Sequence, residues 1–120
     1  MGFIGRNMLS RKKVDAVVSA LEDIKAEDIE VLDVSGMSPL FEWMVMASAN
    51  STRQTKALAN HVQEKMKESG QTVFGIEGLE TGEWVLVDLG DVVVHIMQPA
   101  IRQYYNLEGL WGHVAHAKTG

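Results

Sequence analysis

Residues 83–98, EWVLVDLGDVVVHIMQ, hold two apolar, β-branched runs separated only by Gly90-Asp91. A two-residue connection permits only a tight reversal, so the runs must pair as an antiparallel hairpin. Glycine at the first central position suits a type II′ turn, and aspartate is tolerated at the second. Side chains alternate along a strand, which puts Trp84, Leu86 and Asp88 on one face of the first run. The same alternation puts Val93, His95 and Met97 on one face of the second. Closing the turn can bring both sets to one side, a patch of tryptophan, aspartate, histidine and methionine on a Val/Ile/Leu hairpin. Pro99 has no N–H for a ladder, so pairing should stop near Gln98.

Helical and strand periods alternate along the rest of the chain. Val14, Val17, Val18, Leu21 and Ile24 form one stripe at helical spacing, predicting a helix from about Ser10 to Lys25. Ser10 is its candidate cap, although Arg11 to Lys13 would oppose the helix dipole in a first turn. Ile29 to Val34 reads as a strand ended by Ser35-Gly36, and Trp43 to Ala47 as the next, with Pro39 between them. Ser51-Thr52-Arg53-Gln54 has the form of a capping box, opening a helix with Leu58, Val62 and Met66 on its buried stripe. Gly70 suits its left-handed C-terminal cap. Val73 to Ile76 gives a third strand, and Gly78 to Gly82 a loop leading into the hairpin. Ile101, Tyr104, Tyr105 and Leu107 predict a short helix laid back on the sheet. The expected fold is α/β, a mixed sheet of about five strands with packed helices.

A chain of 120 residues with 46% apolar content suffices for one domain with a true core. The expected organisation is a basic N-terminal segment over 1–12, one domain over 13–112, and a flexible tail over 113–120. The formal charge of −5 opposes non-specific phosphate binding and suits a basic protein partner. Cysteine is absent, which excludes disulfides, thiolate metal sites and cysteine nucleophiles. No apolar run approaches the ~20 residues of a membrane span, and the N-terminus lacks the apolar core of a secretory signal. A soluble cytoplasmic protein is expected.

Catalytic patterns are missing. Asp33 has no second acid two positions away, and Asp88 and Asp91 flank a turn that should point them apart. No phosphate-binding glycine motif occurs. His113 and His116 read as solvated tail residues, and Met37, Met44 and Met46 as core filler. Lys56, Lys65 and Lys67, mixed with Glu64 and Glu68, read as a solvated helix face. Trp84 reads equally as a packed core side chain or an interface anchor, and His95 as a hydrogen-bonded structural histidine. Large aromatics, carboxylates and a histidine on one sheet face are what a protein-binding surface needs.

Four stretches carry a resemblance. DIEVLDV at Asp28–Val34, SANSTRQTKALANHV at Ser48–Val62, GIEGLETGEWVLVDLGDVVVHIMQ at Gly75–Gln98 and YYNLEGLW at Tyr104–Trp111 resemble, in order and spacing, the ribosomal silencing factor family, also called the Iojap or RsfS family. The resemblance implies a nucleotidyltransferase-like α/β fold without catalytic acids, and no enzyme activity, cofactor or metal. It implies a translational repressor that binds L-fourteen of the large ribosomal subunit and blocks subunit association, notably under nutrient limitation. Carried over by position, it nominates Trp84, Asp88, Asp91 and His95 as partner-binding residues, with Glu77 and Tyr105 beside them. Glu42 and Trp43 stand where many members have aspartate and tyrosine. No membrane and no sequence-specific nucleic acid is expected as a partner, and the resemblance implies that a homodimer can form when the protein is free, as in some members. Two alternatives of other classes are a nucleotidyltransferase-like enzyme and a homodimeric interaction module.

Overall fold

The computed structural model describes residues 2–110, so Trp111, His113, His116 and the expected tail lie outside the described residues. Strand order follows from burial. The runs Trp43–Ser48 (β2) and Val92–Met97 (β5) are apolar on both alternating faces, so neither can sit at an edge. They pair parallel at the centre of the sheet, Met46 beside His95 and Ala47 beside Ile96. Glu27–Asp33 (β1) flanks β2 antiparallel, while Trp84–Asp88 (β4) and then Gly75–Glu77 (β3) continue beyond β5, also antiparallel. The order is β1-β2-β5-β4-β3.

Two helices, Gly2–Asp23 (α1) and Thr52–Glu68 (α2), cover one face. Val14, Val17, Leu21, Leu58, Val62 and Met66 bury there against Val45, Val85, Val87, Val94 and Ile96. The helical and strand periods thus meet in one core. The other face carries a smaller core of Leu32, Val34, Met44, Met46 and Met97. Phe41, Trp84 and the short helices Pro99–Tyr105 (α3) and Leu107–Leu110 (α4) add to it through Ile101 and Leu107.

Several expectations are corrected. α1 begins at Gly2 and runs through the basic segment, so Arg11 to Lys13 lie mid-helix and do not oppose the dipole. Ser10 is therefore no cap: it is buried, and its hydroxyl donates to Glu42 Oε1 at 3.0 Å. The Ser51 cap holds, with Oγ accepting from the Gln54 N–H at 3.1 Å, but Gln54 Oε1 reaches the Asn50 N–H at 3.4 Å, one residue further back. β3 is shorter and later than expected, beginning at Gly75. Met37 is not core; it is 48% exposed, unlike Met44 and Met46. Asn106, left-handed at φ 49°, divides the expected short helix into α3 and α4.

Candidate functional site

Residues directly opposite one another in a sheet share a face, and the register gathers the polar side chains of the hairpin. Trp84 stands opposite Met97, Leu86 opposite His95, and Asp88 opposite Val93, all away from α1 and α2. The Trp84 Nε1–H donates to His95 Nδ1 at 2.9 Å. Their ring centroids are 5.8 Å apart. His95 is only 7% exposed. Burial lowers its pKa from 6.5 to about 4, because a charged ring cannot be solvated there. The ring is thus neutral, and with Nδ1 accepting, its proton sits on Nε2.

Tyr105 closes the cluster from α3, its ring 5.0 Å from that of Trp84. Pro99 opens α3 with a preset φ, and Asn106 ends it, its N–H donating to the Arg102 carbonyl at 2.9 Å. Arg102 then anchors the helix across the sheet edge. Its buried guanidinium donates through one nitrogen to the Asp28 carbonyl at 2.7 Å and to Ser48 Oγ at 2.8 Å. Sequence reasoning missed this residue. Its signal was a solitary basic side chain ending a stretch, 71–101, that holds no lysine or arginine.

The glycine loop fixes the approach to Trp84. At Gly78, φ is +90° and a Cβ would lie 2.1 Å from the Trp84 carbonyl oxygen, so only glycine fits. Gly82 lies against the start of α2, where its carbonyl accepts from the Thr55 hydroxyl and from Gln98 Nε2.

The nominated residues divide into three groups. Trp84, His95 and Tyr105 are in mutual ring contact through the indole. Glu77, exposed and opposite Leu86, and Asp88 flank them on the same face. Asp88 is occupied locally, since its Oδ1 accepts the Gly90 N–H at 2.9 Å. Asp91 turns toward α1, where its Oδ1 meets Lys13 Nζ at 2.6 Å and its carbonyl accepts from the N–H groups of Glu42 and Trp43. The same lysine donates to the Leu89 carbonyl at 3.0 Å, so Asp91 stitches the hairpin to α1.

Charge is segregated by layer. Segments 26–52 and 71–101, which form the sheet and its loops, hold ten acidic residues and no lysine or arginine. Among the described residues, no group of three or more histidines and acids could hold a metal, and no helix is long and apolar enough to cross a membrane. The arrangement is that of a rigid aromatic anchor in an acidic field. It has the chemistry of a contact surface for a basic partner.

The family model described as "Ribosomal silencing factor during starvation" matches residues 7–119. The ribosomal silencing factor RsfS of Chromobacterium violaceum is 59% identical over 95 residues, covering 79% of this chain and 78% of that protein. Its counterpart of the same name in Bacillus subtilis is 44% identical over 94 residues, 78% and 80% of the two chains. A crystal structure of a protein from Chromobacterium violaceum is similar with a TM-score of 0.84 and 55% identity, covering 85% of each chain. Sequence and backbone agree across the α/β domain that presents the Trp84 face, and this chain belongs to the ribosomal silencing factor family.

Proposed function

We propose that this protein represses translation by occlusion, docking its open sheet face on the large ribosomal subunit through L-fourteen and obstructing the small subunit. It acts when nutrients are scarce, and it makes and breaks no covalent bond. The observation that carries the reading is the Trp84 indole, half-buried and held in place by His95 and Tyr105 before any partner arrives. An anchor fixed in advance loses little rotamer freedom on binding, and such aromatic anchors dominate interface energetics. The family assignment supports the ribosome as the target.

The test is subunit joining on sucrose gradients with purified protein added. Joined ribosomes should fall as the protein rises, with the protein travelling on large subunits. Trp84→Ala should lose that co-sedimentation, a weakening of ~30-fold or more for a truncated anchor, while circular dichroism stays unchanged. Subunits that pair freely while carrying the protein would overturn the proposal. If Trp84→Ala unfolds, Tyr105→Ala serves instead, since that ring is 49% exposed.

A further inference from the structure

The aromatic cluster extends beyond its anchor. The Tyr104 ring meets the Tyr105 ring edge-on, with centroids 5.0 Å apart and an interplanar angle of 84°. Trp84, Tyr105 and Tyr104 therefore form one row that runs from β4 onto α3. Exposure rises along it, from the half-buried indole to 49% at Tyr105 and 80% at Tyr104. Two large aromatics standing this far into water on one short helix give up apolar burial that the core could have used.

Carboxylates lie close by. Glu77 is exposed and stands opposite Leu86, a single diagonal step across the β3–β4 pair from Trp84. Glu80 and Glu83 sit on the exposed loop that leads into β4. The basic residue of α3, Arg102, is buried and donates to the Asp28 carbonyl and Ser48 Oγ. A cation–π pair does occur at the other end of the sheet, where Arg11 lies 5.1 Å from the centroid of Trp43.

Ring faces beside carboxylates select one side chain. A guanidinium is planar and weakly hydrated, so it can stack on a ring while its edge N–H groups bond a carboxylate. An ammonium is compact and strongly hydrated and gains less from the same faces. An apolar occupant would leave Glu77 unused. We propose that the Trp84–Tyr105–Tyr104 row receives an arginine side chain of the basic protein partner, with Glu77 accepting from its guanidinium. The inference rests on the docking reading for the use of this face, and adds the residue type that seats there.

The test titrates hexa-arginine and hexa-lysine peptides, equal in charge, into the full chain, followed by the Trp84 indole and Tyr104–Tyr105 amide signals in NMR. The arginine peptide should bind about two- to fivefold more tightly than the lysine peptide. Tyr104→Ala should lower that ratio, weakening the arginine peptide more than the lysine peptide; a side chain 80% exposed can be removed without unfolding the domain. Equal affinity for the two peptides, or a ratio that survives Tyr104→Ala, would overturn the proposal. The two readings fail separately. An arginine preference without binding to large subunits sinks the docking reading and leaves the platform; firm subunit binding by a chain with no arginine preference does the reverse.

Discussion

Because the Trp84 indole donates to His95 Nδ1, its orientation depends on a ring nitrogen staying unprotonated. His95 therefore acts through Trp84 and, at 7% exposure, offers little surface of its own to a partner. The sign of its pH dependence follows from burial. The folded pKa, about 4, lies below the unfolded value of 6.5, so the unfolded chain binds more protons between them. Stability is full above the unfolded value and declines as pH falls toward the folded one. Moving from about pH 7.5 to about pH 5 should cost about 2 kcal/mol from this group. His95→Asn, whose Oδ1 sits where Nδ1 was, should keep the indole bonded and lose this slope. His95→Leu should lose both, costing about 1–2 kcal/mol for the orphaned indole N–H. Urea melts at both pH values and the indole N–H shift check each variant; an unchanged slope in His95→Asn would remove burial of His95 as its cause. The pairing of Trp84 with His95 was legible because period two and a two-residue turn fix which side chains share a face. Asp91 was not, since no alternation directs a turn side chain. Its direction is set by Lys13, 78 residues away.

At the scale of elements, buried Arg102 ties α3 to β1 and β2. Arg102→Ala would strand the Ser48 hydroxyl and the Asp28 carbonyl and should destabilise the fold by about 2–4 kcal/mol in urea melts. Arg102→Lys should recover part of it, because both bonds leave one guanidinium nitrogen and an ammonium can donate to two acceptors. Loss of α3 would also free Tyr105 from Trp84, so the two tyrosines should sharpen in NMR before global unfolding. Two glycines separate conformational from steric cost. Gly70, at φ +82° with open space around it, should lose about 1 kcal/mol as alanine. Gly78 has a similar φ, but its Cβ would strike the Trp84 backbone, so Gly78→Ala should cost at least twice as much. Comparable midpoints for the two variants would mean the loop yields. The helix stripes of α1 and α2 were readable from periodicity alone, and so was the Ser51 cap. The start of α1 was not: Ser10 carried a cap signal, yet its hydroxyl serves Glu42, 32 residues distant. A local motif cannot reveal a tertiary partner.

For the whole molecule, most of the strand order was implicit in the chain, because consecutive strands joined without a helix are neighbours. What remained open was how the β1–β2 pair meets the β3–β4–β5 meander. The answer lay in composition: β2 and β5 are the runs that stay apolar on both faces, so they meet at the centre. The distribution of charge over that topology yields a last prediction. Acids fill the sheet layer, and the described lysines lie on or beside α1 and α2. α2 packs on the opposite face of the sheet, so its outward side chains lie at least a helix diameter, ~10–12 Å, behind it, beyond the screening length of ~8 Å at physiological salt. Lys13 is spent on Asp91, so a basic partner approaching the Trp84 face should feel the remaining sheet acids more than the outward lysines of α2. Association with large subunits should slow by about tenfold as salt rises from low to high. Glu77→Lys should slow it at low salt with little change in dissociation, since Glu77 is exposed on the face proposed for docking. Lys67→Glu, exposed on α2, changes net charge by the same amount in the opposite sense and should leave the association rate alone. Stopped-flow rates at two ionic strengths decide it. If Lys67→Glu speeds association as much as Glu77→Lys slows it, net charge alone steers the encounter, and the layered distribution has no part in orienting the protein on the ribosome.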